Sequence, residues 1–218
     1  MLLRMKGGDF VSCDFRGDGV LLDYLGVKNE AAGPQKVAGN VELIASIPFH
    51  LAADKENNGN EVAWTFSTFD LDRFDERIDP EGWDFRQYLK NPVVEWAHRY
   101  DIPAIGKADG LYADKAGLHG TILFNDKSFD AFGWAIGERV KHGVIRAGSV
   151  GFRILEIELP TKEESKDGTT LIFRKQELLE FSVCNVPANP AALAKGKAGQ
   201  QDMAPNFWGN FIQNTEGV

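Results

Sequence analysis

Alternation of apolar and polar residues dominates the middle and end of this chain. Val62-Ala63-Trp64-Thr65-Phe66-Ser67-Thr68-Phe69 alternates in the manner of a half-buried strand, and the apolar run at 41–49 reads as another strand. Residues 93–98 form a short strand on which Val94, Trp96 and His98 share one face. Residues 105–124 read as two strands with turns at Asp109-Gly110 and Ala116-Gly117. Two long strand regions, 147–159 and 170–186, are joined by the charged segment 162–168.

Helical spacing is rarer. Residues 128–142 carry Phe129, Phe132, Ile136 and Val140 on one stripe, with Asp126 or Ser128 as cap and Gly143 as stop. A second, shorter helix is predicted at 83–89, ending before Pro92. The sum predicts an α+β fold that is mainly β. Residues 25–40 are rich in Gly, Ala, Lys and Asn, so 1–40 reads as an N-terminal arm and linker that is mobile. Within the arm, 10–24 is either a short strand pair or disordered. The folded domain is assigned to 41–195, with a helical turn at 191–195. Residues 196–218 read as a flexible C-terminal tail bearing an aromatic patch at Phe207, Trp208 and Phe211.

Composition narrows the function. With 218 residues, 43% of them hydrophobic, the chain is long enough to bury a real core. It has no apolar run of membrane-spanning length, and its first residues are too polar for a secretory signal, so no membrane partner is expected. A formal net charge of −8 argues against a nucleic-acid partner, whose footprint would be basic. Cys13 and Cys184 form no CxxC pair and no zinc spacing, and a reducing, intracellular setting is the natural reading. Cys184 lies in a strand-like run and is expected to be buried.

Three residues carry candidate chemistry. A serine hydroxyl is a poor nucleophile until a histidine takes its proton and an acid orients that histidine. Ser149 lies among small residues (Ala147, Gly148, Gly151) that leave room for a substrate backbone and for oxyanion donors. Read alone, it is equally a Ser/Gly bulge, and it lacks the GxSxG elbow. His98 stands where a strand meets a loop, yet a lone histidine is more often a satisfied structural residue. Glu180 alternates with Leu179 and Phe181, which makes an outward, solvated carboxylate the default. The acidic run Asp70, Asp72, Asp75, Glu76, Asp79 loosely resembles a calcium loop, but Phe74 replaces a ligand and Asp75 stands where the sharp-turn glycine belongs. His50, His119 and His142 show no metal spacing, Gly196-Lys197 lacks the upstream glycine of a P-loop and no GxGxxG occurs, so no metal or organic cofactor is expected. Trp64, Trp83, Trp96 and Trp134 read as core.

Three passages together carry a resemblance. The first is Asp79-Pro80-Glu81-Gly82-Trp83, then Asn91-Pro92-Val93-Val94-Glu95-Trp96-Ala97-His98 and Ile102-Pro103-Ala104-Ile105-Gly106. The second is Gly143 followed by Ala147-Gly148-Ser149-Val150-Gly151-Phe152, and the third is Glu177-Leu178-Leu179-Glu180-Phe181-Ser182-Val183 with Val186-Pro187-Ala188-Asn189-Pro190-Ala191. In this order, over roughly 41–194, the chain resembles the prohead (capsid maturation) serine proteases of tailed bacteriophages.

The resemblance implies a small β-barrel flanked by helices, similar to the herpesvirus maturation proteases. It implies Ser149 as nucleophile, His98 as general base and Glu180 as third member, with His119 or His142 as alternatives, because the herpesvirus enzymes use a second histidine there. It further implies a serine endopeptidase that cleaves scaffold, major capsid protein and itself inside the assembling prohead, in the host cytoplasm. Self-association is compatible with this role. The alternative is a catalytically inactive assembly or scaffold protein of the same fold.

Overall fold

A computed structural model of the chain describes residues 2–4, 10–12, 33–37, 42–45 and 59–185. The described residues form one mixed sheet of twelve strands and one α-helix. In chain order these are β1 (Leu2–Arg4), β2 (Phe10–Ser12), β3 (Gln35–Lys36), β4 (Glu42–Ala45), β5 (Glu61–Ser67), β6 (Glu76–Ile78), β7 (Trp83–Asp84), β8 (Val93–Trp96), β9 (Gly106–Asp114), β10 (Gly117–Phe124), α1 (Ala131–Lys141), β11 (Ala147–Glu158) and β12 (Leu171–Cys184). The fold is mainly β. No helix among the described residues is long and apolar enough to cross a membrane.

The sheet runs β2-β1-β4-β11-β12-β8-β9-β10-β5, with β3 on β11 and β6 and β7 on β12. The described pairings make an open path from β2 to β5. Strand β12 pairs antiparallel with β11 and parallel with β6, β7 and β8. The sheet also curls. Phe181 of β12 meets Trp64 and Phe66 of β5, with ring centroids 5.6 and 4.3 Å apart, although three strands lie between them in the sheet. Aromatic packing of this kind adds to what area burial alone contributes. Phe152, sandwiched between Trp83 and Phe173, extends the same core toward the far end of β11.

Several local expectations are corrected. Residues 83–89 are not a helix. A 3₁₀ turn at Pro80–Gly82, capped by the Asp79 carboxylate on the Glu81 amide (3.0 Å), leads into β7, and a second 3₁₀ turn spans Tyr88–Lys90. The segment lies flat on β12 because Gly82 has no side chain; a Cβ there would sit 1.9 Å from the Arg174 carbonyl oxygen. Asp109-Gly110 is not a turn. Gly110, at φ +60°, makes an irregularity within β9, and the reversal comes at Lys115-Ala116, where the Asp114 carboxylate accepts from the Ala116 amide at 2.7 Å.

Helix α1 starts later than predicted, at Ala131, and its cap is Asp130, whose Oδ1 accepts from the Phe132 and Gly133 amides. Its buried face is Gly133, Ile136, Gly137 and Val140, so Phe129 and Phe132 stay exposed. The two glycines let the helix approach Ile105 and Phe124 closely, and that rotates the phenylalanines outward. Trp134 is half-buried, with the Lys127 ammonium 4.5 Å over its ring, and is not core; Trp64 and Trp83 are buried. Cys184 is buried. Within the predicted arm, β1 pairs with β4 and β3 pairs with β11. The predicted turn at 191–195 and the tail at 196–218 lie outside the described residues.

Candidate active site

The two longest strands carry two of the candidate residues. Ser149 is on β11 and Glu180 is on β12, and the antiparallel register sets Ser149 opposite Ser182 and Gly151 opposite Glu180. Strand alternation therefore turns Ser149, Gly151, Glu180 and Ser182 toward one face. That face is not solvated. Ser149 and Ser182 are fully buried and Glu180 is 5% exposed, against the outward default that alternation predicted for the glutamate. A strand covered on both faces loses the inside/outside signal that alternation normally reports.

His98 is not on its strand. Strand β8 ends at Trp96, and Ala97 and His98 then adopt φ of +52° and +58°. The left-handed region is unfavourable for residues with a Cβ, so something must hold it. Three hydrogen bonds do: the Ala97 amide donates to the Val183 carbonyl (2.9 Å), the His98 amide to Ser182 Oγ (3.0 Å), and the Arg99 amide to the Trp96 carbonyl (3.0 Å). This turn swings the imidazole across the end of β12 and onto β11.

There the ring bridges both strands. His98 Nδ1 lies 2.6 Å from Glu180 Oε1, and His98 Nε2 lies 2.7 Å from Ser149 Oγ. A carboxylate can only accept, so Nδ1 donates its N–H to Glu180 and the Nε2 lone pair faces the serine hydroxyl, which donates to it. The second carboxylate oxygen, Oε2, accepts from the Ser182 hydroxyl at 2.7 Å. Glycine at 151 leaves space for the carboxylate; a Cβ there would come within 2.5 Å of Glu180 Oε1. Gly148 does the same for the Phe181 ring, which a Cβ would approach to 2.3 Å. Of the three, His98 meets solvent most, with 17% of its side chain exposed.

The surroundings are acidic. Glu95, cross-strand from Ser182, has its carboxyl held above the usual range by burial and then by the charge on Glu180. The Tyr88 phenol is pushed far up, first by burial and then by the Glu180 charge, and donates to the Val93 carbonyl at 2.7 Å.

The alternative histidines have other partners. His119 sits between Thr65 Oγ1 (3.0 Å) and Asp114 (3.2 Å), and His142 Nδ1 donates to the Glu138 carbonyl at 2.8 Å. The acidic run folds back on itself. Asp72 Oδ1 accepts from the Phe74 and Glu76 amides, and Glu76 is buried with neither carboxylate oxygen bonded. No group of three or more metal-type ligands exists among the described residues. Sequence reasoning missed Ser182, which touches both His98 and Glu180; a serine on an alternating strand carries no motif.

Similarity to known proteins follows the same lines. A family model described as caudovirus prohead serine protease matches residues 52–205. The prohead protease of Escherichia phage T5 is 31% identical over 157 residues, 67% of this chain and 70% of that protein. No solved structure matches.

Proposed function

The chain belongs to the caudovirus prohead serine proteases and is a serine peptidase of capsid maturation, and from that premise we propose that Ser149 is its nucleophile, His98 its general base and Glu180 the acid that orients the base. The observation that carries the assignment is the imidazole held between Ser149 Oγ at 2.7 Å and Glu180 at 2.6 Å. Both are hydrogen-bond distances, as proton transfer requires.

The chemistry follows from the tautomer. As Ser149 Oγ attacks a peptide carbonyl carbon, its proton passes to His98 Nε2, and the new imidazolium is stabilised by Glu180 through Nδ1. The tetrahedral intermediate collapses as His98 gives that proton to the leaving amine and the C–N bond breaks. Water then attacks the acyl-enzyme by the same route in reverse. The oxyanion needs aimed donors, each worth about 3 kcal/mol of barrier. Val150 and Gly151 are paired on both sides, with β4 and β12, so their amides serve the sheet. We assign the oxyanion donors to the backbone near Gly148 or to a neighbouring loop. Ser149 is fully buried, so peptide entry requires movement of what covers it.

The substrates we assign are the scaffold, the major capsid protein and the protease itself, cleaved inside the assembling shell in the host cytoplasm. The curl that brings β5 onto β12 supports reading the sheet as a small barrel of the herpesvirus-maturation-protease kind. The test is Ser149→Ala and His98→Ala in the full chain, co-expressed with scaffold and capsid protein. Both variants should fold and process nothing, and neither should react with a fluorophosphonate. Normal processing by Ser149→Ala would remove Ser149 from the mechanism. Glu180→Gln should lose less than either.

A further inference from the structure

We propose that Ser182 is a positioning residue of the reaction, a fourth member that locks base and acid together; this rests on the assignment of His98 and Glu180 above. Its hydroxyl does two things at once. It donates to Glu180 Oε2 at 2.7 Å and accepts from the His98 amide at 3.0 Å. It is fully buried, and it stands cross-strand from Ser149. One side chain thus ties the backbone of the base to the carboxylate that orients the base's ring, directly opposite the nucleophile.

The strain in the turn makes the tie consequential. His98 has a left-handed φ of +58°. Without a partner for its amide, the turn has reason to relax toward an extended conformation, and the ring would move with it. The carboxylate has the matching freedom: with Oε2 released, Glu180 can rotate about its terminal bond, which is intrinsically soft. Movement of the ring lengthens both the Nδ1–H···Oε1 and Nε2···H–Oγ contacts, and rotation of the carboxylate lengthens the first and leaves the ring less firmly oriented. A displacement of roughly 1 Å at reacting groups lowers rates about a hundredfold. Substrate binding is untouched by this argument, because Ser182 is buried beneath the reacting groups.

The experiment compares full-length wild type with Ser182→Ala, Ser182→Thr and Ser149→Ala. The probe is a fluorophosphonate, whose phosphorus is attacked by Ser149 Oγ with loss of fluoride as His98 takes the proton. Saturation kinetics separate its binding constant from its maximal inactivation rate. Proton NMR follows the downfield resonance of His98 Nδ1–H, and thermal unfolding reports folding. Ser182→Ala should unfold cooperatively, lose about a hundredfold in maximal rate with the binding constant within about threefold, and lose or broaden the downfield resonance. Ser182→Thr keeps the hydroxyl and should recover the rate to within about tenfold, with the resonance present.

A Ser182→Ala rate within threefold of wild type, or an unchanged downfield resonance, overturns the proposal. If Ser182→Ala does not fold, Ser182→Thr decides: folded protein that has lost rate and resonance overturns the proposal, and folded protein that keeps both supports it. Labelling of Ser149→Ala at the wild-type rate would instead mean that the triad assignment itself is wrong, whatever Ser182 does.

Discussion

Gly151→Ala puts the proposed arrangement under the sharpest strain that one methyl group can apply. Gly151 faces Glu180 across the β11–β12 ladder, and an ideal Cβ at 151 would lie 2.5 Å from Oε1, 2.8 Å from Cγ and 3.0 Å from Cδ. Ordinary contact would require the carboxylate to retreat by roughly 1 Å. It cannot retreat freely, because Oε1 is bonded to His98 and Oε2 to Ser182. Overpacking of this kind costs about 1–3 kcal/mol of stability. Misplacement of the orienting acid by ~1 Å should cost about a hundredfold in rate, or roughly 3 kcal/mol of barrier. The assay is the maximal rate of fluorophosphonate labelling, with thermal unfolding beside it, for Gly151→Ala, Glu180→Ala and the double variant. If the methyl acts by displacing Glu180, removing the glutamate first should make it nearly silent, so the two losses should be strongly non-additive. Fully additive rate losses, or a Gly151→Ala rate near wild type, would refute the reasoning even if the protein were destabilised.

The acidic run gives a stability prediction that is independent of catalysis. Burial raises the Asp72 carboxyl to about 6, and burial holds Glu76 well above its usual range. Both groups bind protons more tightly folded than unfolded, so their contribution favours the folded state most below pH ~4 and declines as pH rises through the folded values. For Asp72 the difference between about 6 in the folded protein and the ordinary carboxylate value corresponds to roughly 3 kcal/mol lost by pH 7. Asp72→Asn and Glu76→Gln should therefore unfold at higher temperature than wild type at pH 7.5 and show little gain at pH 4; a gain at pH 4 as large as at pH 7.5 would contradict the sign. Gly82→Ala forces a Cβ to within 1.9 Å of the Arg174 carbonyl oxygen and should lift the 3₁₀ turn and β7 off β12, at a cost of about 3 kcal/mol. Chemical denaturation would measure it, and a loss under 1 kcal/mol would mean the turn shifts without strain.

What the sequence disclosed depended on whether local pattern or distant packing decided each element. Strands β5, β10, β11 and β12 were legible because apolar alternation or long apolar runs recur there. The 83–89 segment carries no local signal that separates strand from helix, and parallel pairing of Trp83 with Gln176 decides its conformation. The site divides in the same way. Ser149 and Glu180 could be picked out by residue type and by the three ordered passages, yet alternation sent Glu180 outward because it does not register cover on the second face of β12. His98 was named, but on a strand; neither Ala97 nor His98 is a residue whose type announces a left-handed turn. Two of the three hydrogen bonds that hold the turn reach acceptors on β12, Ser182 Oγ 84 residues beyond His98 and the carbonyl of its neighbour Val183. The geometry that makes the imidazole a base therefore depends on β12 as well as on the residues around His98, and a search for catalytic signals near the histidine could not have found it.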